Sequence, residues 1–187
     1  MSTHMCINLR PLTQYDDNYL RVIDLYKKAF TTARYIPTWF LRFKLRNGKE
    51  GFNVIYSGHT WIGLIYTSEY EDIVLIHFLA ISESYRSGGY GTKVMDSMKI
   101  TSAGKRVVLN IEKLDKRADN YQQRVKRKVF YEKNGFRSSG YIVQEPGEQL
   151  EMLIFGGSIN KEEIEAMYKH LFGSLIGFFL KPKIIRI

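Results

Sequence analysis

The sequence has little cysteine and proline and no long apolar run. Its one cysteine, Cys6, excludes an internal disulfide and fits a reducing compartment. Because Cys6 lies in an apolar stretch, we expect a small buried side chain rather than a nucleophile. Only 4 of the 187 residues are proline and 44% are hydrophobic, which argues against a disordered or low-complexity chain.

Signals for export or membrane insertion are also missing from the sequence. The first residues lack a basic segment followed by an apolar one, so no secretory signal is predicted. The longest apolar run near the end, Leu175 to Leu180, is too short to span a bilayer. We therefore expect a cytoplasmic protein without a membrane partner.

Acidic residues are outnumbered by basic ones, with 19 Asp and Glu against 28 Lys and Arg and a net charge of +9. This sign favours an anionic partner, such as nucleic acid, an anionic membrane surface or a polyphosphate cofactor. No recognition-helix or base-stacking motif is present, so a nucleic-acid partner is not expected. No spacing of His, Cys and carboxylate residues indicates a metal site.

Hydrophobic periodicity divides the chain into strands and helices of one domain. Strands are predicted over 6–12, 52–57, 60–67, 73–81, 105–114, 137–144 and 149–155. Helices are predicted over 20–30, 37–45, 91–102, 120–134 and 161–172. This order predicts a mixed α/β domain around one central sheet.

A glycine-rich stretch, Ser82-Glu-Ser-Tyr-Arg-Ser-Gly-Gly-Tyr-Gly91, joins an apolar strand to a helix. Glycine allows sharp turns and close approach of a ligand, and a helix start attracts anions through its unpaired N–H groups. The stretch therefore predicts an anion site, with a glycine turn that binds nothing as the alternative. A dinucleotide fingerprint fails because Val94 replaces its third glycine, and neither Gly-Lys pair precedes the Ser or Thr that a P-loop requires.

Two motifs resemble those of the GNAT acyltransferase superfamily. Arg86-x-x-Gly89-x-Gly91 is similar to its pyrophosphate loop, and residues 129–136, Val-Phe-Tyr-Glu-Lys-Asn-Gly-Phe, resemble the end of its fourth helix. One strand and one helix separate the motifs, as the family requires. The resemblance covers about 6–156. It implies an α/β, GNAT-like single domain over 1–187, with a central mixed, mostly antiparallel twisted sheet flanked by helices and a helical extension at 157–187.

The resemblance implies acetyl-CoA as the acyl-donor cosubstrate. The backbone amides of 87–92 would wrap its pyrophosphate, and the Leu79 amide would face the thioester oxygen. The backbone of Leu79 and Ile81 would pair with the pantetheine arm. One departure is Arg124, which stands where many members carry an asparagine. The implied cofactor-binding residues are Leu79, Ile81, Arg86, Ser87, Gly88, Gly89, Gly91 and Thr92.

Three side chains are candidates for proton transfer. By resemblance, Tyr131 matches the family's general acid, which protonates the departing thiolate. The alternative is a tyrosine that only packs on the inner face of its helix, beside Phe130. His77 shares a strand face with Leu79, and imidazole titrates near neutral pH, so His77 is either a general base or a core histidine. Glu112 on the next strand is the rival base, or else the partner in a salt bridge.

The resemblance implies a bacterial N-acetyltransferase that moves an acetyl group to a primary amine of a small molecule, by direct attack in a ternary complex. A protein lysine or N-terminal acceptor and a non-catalytic acyl-CoA sensor are the alternatives. Tyr35, Trp39 and Phe40 are candidates for lining the acceptor pocket. The basic run Arg124 to Lys128 is either a solvated face or a contact for an anion, and monomer and homodimer both stay open.

Overall fold

The computed structural model describes residues 6–13, 15–29, 51–145, 147–179 and 182–187, and of 172–179 only the backbone. These residues form two compact units. The first comprises residues up to Ser68 together with Ile76–Thr101, and the second comprises Glu69–Leu75 and Ser102–Ile187. The helix predicted over 37–45, with Tyr35, Trp39 and Phe40, lies outside the described residues.

Apart from the longer last helix and the last strand, the described strands and helices follow the predicted order with shifts of a few residues at their ends. The strands are β1 (Ile7–Pro11), β2 (Gly51–Ser57), β3 (Thr60–Tyr70), β4 (Ile73–Ile81), β5 (Arg106–Glu112), β6 (Arg137–Glu145), β7 (Glu148–Phe155) and β8 (Lys183–Arg186). The helices are α1 (Tyr19–Ala29), α2 (Tyr90–Thr101), α3 (Tyr121–Lys133) and α4 (Lys161–Phe179). A short 3₁₀ turn, Glu83–Tyr85, precedes α2.

The predicted α/β class, with a mostly antiparallel sheet and flanking helices, is confirmed. In the first unit the strand order is β1-β2-β3-β4, and in the second it is β4-β5-β7-β6-β8. β1 with β2, β2 with β3, β5 with β7, β6 with β7 and β6 with β8 all pair antiparallel. The β2–β3 hairpin turns at Gly58, whose φ of 61° is left-handed.

Each unit has its own apolar core. In the first, Val22 and Tyr26 of α1 are fully buried against β2, β3 and β4, and the Tyr26 ring meets Phe78 edge-on at 5.2 Å. In the second, α4 buries Ile164 and Met167 against β5 and β7. Apolar residues at helical spacing on α1 and α4 therefore face the strands, as their periodicity predicts.

The C-terminal extension differs from its prediction because it is not wholly helical. Helix α4 continues to Phe179, and Lys183–Arg186 forms β8, which pairs with β6. Ile184 of this strand is buried in the second core. A strand of four residues has too little pattern to be recognised from sequence, because its hydrogen-bonding partner lies about 40 residues earlier in the chain.

The prediction of a buried Cys6 is wrong, because its side chain is exposed. Cys6 directly precedes β1, whose residues are all half-buried or exposed. Among the described strands β1 pairs with β2 alone, so this stretch lies at the margin of the sheet rather than in its core.

The half-buried guanidinium of Arg106 links three segments of the second unit. Arg106 at the start of β5 donates from Nε and Nη2 to the two Asp72 carboxylate oxygens, at 2.7 and 2.6 Å. It also donates to the Ser158 carbonyl at 2.8 Å and pairs with Glu163 at 2.8 Å. Hydrogen bonds from Arg106 lower the pKa of both Asp72 and Glu163.

We expect the contacts of Arg106 with Asp72 and Glu163 to make part of the folding stability depend on pH. Carboxyls with a lowered pKa stabilise the fold above their unfolded pKa of about 4, and that stabilisation is lost as pH falls through the lower folded values. In Arg106→Met the melting temperature should therefore drop at pH 6, and its difference from the unaltered chain should shrink towards pH 3. Calorimetry across this range checks it; a constant difference would contradict the assignment.

Candidate functional site

The second half of β4 has one covered face and one partly open face. Phe78 and Ala80 are buried in the first core, whereas His77, Leu79 and Ile81 are all half-buried. The alternation agrees with the period of two expected for a strand. The three predicted site residues of β4 therefore share its partly open face.

The glycine loop continues from β4 with an unusual backbone. Ser87 and Gly89 are left-handed, with φ of 63° and 79°, whereas Gly88 between them is not. Such alternation turns successive N–H groups to one side and forms the concave nests that bind anions. A left-handed serine costs about 1–2 kcal/mol relative to the right-handed conformation, so this loop holds strain of the kind found at ligand sites.

Arg86 fastens the start of this loop to the end of β4. Its Nε donates to the Ile81 carbonyl oxygen at 3.0 Å. The side chain is exposed, as are Ser87, Gly88 and Gly89. The loop is thus held at its base while its backbone stays open to solvent.

Helix α2 begins directly after the loop, one residue earlier than predicted. Its first backbone bond runs from the Lys93 N–H to the Gly89 carbonyl at 3.2 Å, so the N–H groups of Tyr90, Gly91 and Thr92 have no intrahelical acceptor. A Cβ placed on Gly89 would meet no protein atom within 4 Å. Open space, unpaired amides and the positive end of the helix dipole suit a phosphate.

The His77 ring is held on both a face and an edge. It stacks on Tyr66 of β3, with ring centroids 4.6 Å apart and an interplanar angle of 22°. Its Nε2 lies 2.9 Å from the Ser68 Oγ, also on β3. These contacts fix the ring orientation, which both the catalytic and the core interpretation of His77 allow.

Tyr131 lies in the second unit, two residues before the end of α3. Its side chain is only 8% exposed, and its ring meets Phe130 and Phe136 edge-on at 5.0 and 5.7 Å. The ring is thus buried as the packing alternative expects, and the same burial would hold a catalytic hydroxyl in one place.

The end of α3 explains why the second motif has its spacing. The Phe136 N–H donates to the Tyr131 carbonyl at 3.1 Å, and the Gly135 N–H donates to the Glu132 carbonyl at 2.9 Å. With Gly135 at φ 86°, this is a Schellman motif, whose usual apolar contact is here the ring pair Tyr131–Phe136. The motif therefore ends the helix and positions the Tyr131 ring in one step.

Glu112, also in the second unit, forms an ion pair with Arg127 of α3. Its side chain is 11% exposed, so this partner offsets the cost of burying a carboxylate. The contact is the one that the salt-bridge alternative predicts, and the role of Glu112 as a base stays a prediction.

Most basic side chains of the run on α3 form ion pairs or hydrogen bonds with other parts of the protein, rather than a solvated face. Arg127 pairs with Glu112, and Lys128 binds Glu151 of β7 at 2.8 Å. Arg124 donates to the Asn120 side chain at 2.7 Å and to the Lys113 carbonyl at 2.8 Å. Of the residues in this run, only Lys126 is classed as exposed. Charge counting missed this because the partners come from β5, β7 and the loop before α3.

Two further findings bear on the kind of site. Within the described part of the chain, no group of three or more His, Cys, Asp or Glu side chains is arranged to hold a metal ion. None of the helices there is both long enough and apolar enough to cross a membrane.

Residues 48–138 match the model of the acetyltransferase (GNAT) domain family. This range contains β2 to β5, the glycine loop, α2, and α3 with its terminal glycine. This part of the chain is thus similar to a GNAT acetyltransferase domain. The resemblance of its two motifs to this superfamily is confirmed.

Solved structures show the same fold at low sequence identity. A putative GNAT-family acetyltransferase from Bacteroides thetaiotaomicron is 20% identical over 90% of this chain and 97% of its own, with a TM-score of 0.72. A Bacillus subtilis acetyltransferase in complex with CoA is 15% identical over 81% and 97%, with a TM-score of 0.55. The aminoglycoside 6′-N-acetyltransferase from Enterococcus faecium is 16% identical over 80% and 96%, with a TM-score of 0.56. No curated protein sequence matches the chain.

Sequence reasoning missed two residues within the matched range, Tyr66 and Ser68. Both contact His77, and neither belongs to a recognisable motif. The signal that could have found them is the β3–β4 hairpin, because a hairpin places residues of its two strands side by side. That inference needs the register of the hairpin, which the sequence leaves open.

Proposed function

We propose that this protein is an acetyl-CoA-dependent N-acetyltransferase. The observation that carries the proposal is the open backbone from Ser87 to Thr92, where two left-handed residues lead into the unpaired N–H groups of α2. Such a backbone suits a pyrophosphate, and a similar Bacillus subtilis structure was determined with CoA. Leu79 and Ile81, half-buried on β4, are the residues proposed to pair with the pantetheine arm.

The reaction proceeds by direct attack of a primary amine on the thioester carbonyl carbon. The carbon–sulfur bond breaks, the amine loses a proton to a base, and the thiolate gains one from an acid. Tyr131 is the proposed acid, and His77 the proposed base, with Glu112 as its rival. The Leu79 amide is proposed to polarise the carbonyl oxygen, because a fixed N–H group stabilises charge that develops there.

The proposed acceptor is a small molecule, in line with the aminoglycoside acetyltransferase among the similar structures. A protein lysine or N-terminus is the alternative acceptor, and an acyl-CoA sensor without turnover is the alternative function. The residues proposed to line the acceptor pocket, Tyr35, Trp39 and Phe40, lie outside the described part of the chain. Release of free thiol from acetyl-CoA across a panel of amines and peptides separates these possibilities.

Coenzyme binding is tested by a matched pair of glycines. Coenzyme A at about 100 times its dissociation constant should stabilise the fold by roughly 2.7 kcal/mol and raise the melting temperature. Gly89→Val should abolish this rise, because the new side chain enters the open space that the phosphate requires. Gly104→Val is the control, since Gly104 is also left-handed, with φ of 80°, and also open within 4 Å.

Both variants carry a strained β-branched residue and should lose intrinsic stability alike, but Gly104→Val should keep the coenzyme-dependent rise. Thermal unfolding with and without coenzyme A measures it. If saturating acetyl-CoA left the melting temperature of the unaltered chain unchanged, this would falsify the proposed function.

The acid is tested by Tyr131→Phe, which keeps the ring contacts with Phe130 and Phe136. Turnover should fall on the order of 10²-fold, while the Michaelis constant for acetyl-CoA changes little, because the hydroxyl acts as charge develops on sulfur. Tyr121→Phe removes a hydroxyl from the same helix and should leave turnover unchanged. Equal turnover in the two variants would remove Tyr131 from the mechanism.

The base is tested by comparing His77→Gln with Glu112→Gln. If imidazole is the base, His77→Gln lowers turnover and removes the limb of the pH–rate profile that rises near neutral pH. Glu112→Gln should instead mainly lower the melting temperature, because it leaves the Arg127 charge without its partner. The reverse pattern in steady-state kinetics and calorimetry would assign the base to Glu112.

A further inference from the structure

Ser68 and His77 form a hydroxyl–imidazole pair on the partly open side of the first unit. The Ser68 Oγ lies 2.9 Å from the His77 Nε2, within ordinary hydrogen-bond distance. A hydroxyl both donates and accepts hydrogen bonds, so it can accept a proton from one group while it gives its own proton to another. Neither the Arg86–Gly91 loop nor the 129–136 motif includes this pair, and it becomes visible only in the structure.

The groups around the His77 ring limit how a proton can reach its Nε2 atom. The Tyr66 ring covers one face of His77 at 4.6 Å. The Nε2 edge is occupied by Ser68. A proton that reaches Nε2 from an amine must therefore pass through the serine hydroxyl or displace it.

Ser68 lies where β3 emerges from the core. Residues Trp61 to Tyr66 of β3 are all buried, whereas Thr67 and Ser68 are half-buried and Glu69 is exposed. The hydroxyl thus combines a fixed partner on its inner side with partial access to solvent. This position suits a group that meets a substrate on one side and a base on the other.

We propose that Ser68 relays the proton from the acceptor amine to His77; this rests on the proposed acetyltransferase function. As the amine nitrogen bonds to the thioester carbon, its N–H bond breaks and an O–H bond forms on Ser68. The original Ser68 O–H bond breaks in the same step, and that proton binds Nε2 to give an imidazolium. The imidazolium later returns the proton to water, so that serine and histidine end as they began.

The relay fixes the resting tautomer of His77. Nε2 must be unprotonated to accept the Ser68 hydrogen bond, so the neutral ring carries its proton on Nδ1. This consequence does not depend on turnover. Nitrogen-15 NMR of the histidine rings reads it directly, and the His77→Gln spectrum identifies which signals belong to His77.

The kinetic experiment compares Ser68→Ala, Ser68→Thr, His77→Gln and the double variant Ser68→Ala/His77→Gln. Ser68→Ala should lower the turnover number on the order of 10²-fold with little change in the Michaelis constant for acetyl-CoA. Ser68→Thr keeps a hydroxyl on a strand and should retain most of the turnover. In the His77→Gln background, Ser68→Ala should lower turnover no further, because the two groups act in one chain.

Several results would overturn the relay. These are an Nε2-protonated resting ring, equal losses in Ser68→Ala and Ser68→Thr, or additive losses in the double variant. Mass spectrometry showing an acetylated Ser68 would replace the relay by a covalent step. Failure of the proposed function itself is recognised separately, because the unaltered chain would then release no thiol with any amine.

Discussion

The turn from β4 into α2 is the feature on which the candidate site depends. Two left-handed residues, Ser87 and Gly89, lead the exposed loop directly into the N–H groups of the helix start, which have no acceptor within the helix. The Arg86–Ile81 hydrogen bond anchors this turn at its base. Because the proposed phosphate partners are main-chain groups, the site depends on backbone angles more than on side chains. This fits structures that share the fold at 15–20% identity.

Proton transfer places a different demand on the protein, since it requires side chains held in single orientations. The two units meet this demand in different ways. In the first, ring stacking and a hydroxyl fix His77 on its strand. In the second, the end of a helix fixes Tyr131, because the same backbone bonds that stop α3 bring Phe136 against its ring. Catalytic geometry at both places would thus be a by-product of ordinary secondary structure.

Sequence reasoning worked where the signal was local. The glycine loop, the β2–β3 hairpin and the glycine that ends α3 all follow from residue preferences within a few positions, and the structure has them as predicted.

Reasoning from the sequence failed where partners are distant in the chain. Strand β8 needs β6, the exposed position of Cys6 follows from the margin of the sheet, and the ion pairs of α3 need β5 and β7. Ser68 was missed for a different reason, because its pairing with His77 depends on the register of one hairpin.

Strand β8 also bears on aggregation. It is the last strand in the order of the second unit, so one of its edges has no partner among the described strands. Unpaired edges invite pairing with other chains, and short length and exposed charge counteract this. β8 has four residues and carries exposed Lys183 and Arg186 at its two ends. By pairing with the longer strand β6, β8 covers an edge that could pair with other chains. The edge that it presents instead is short and has a charge at each end, which disfavours such pairing.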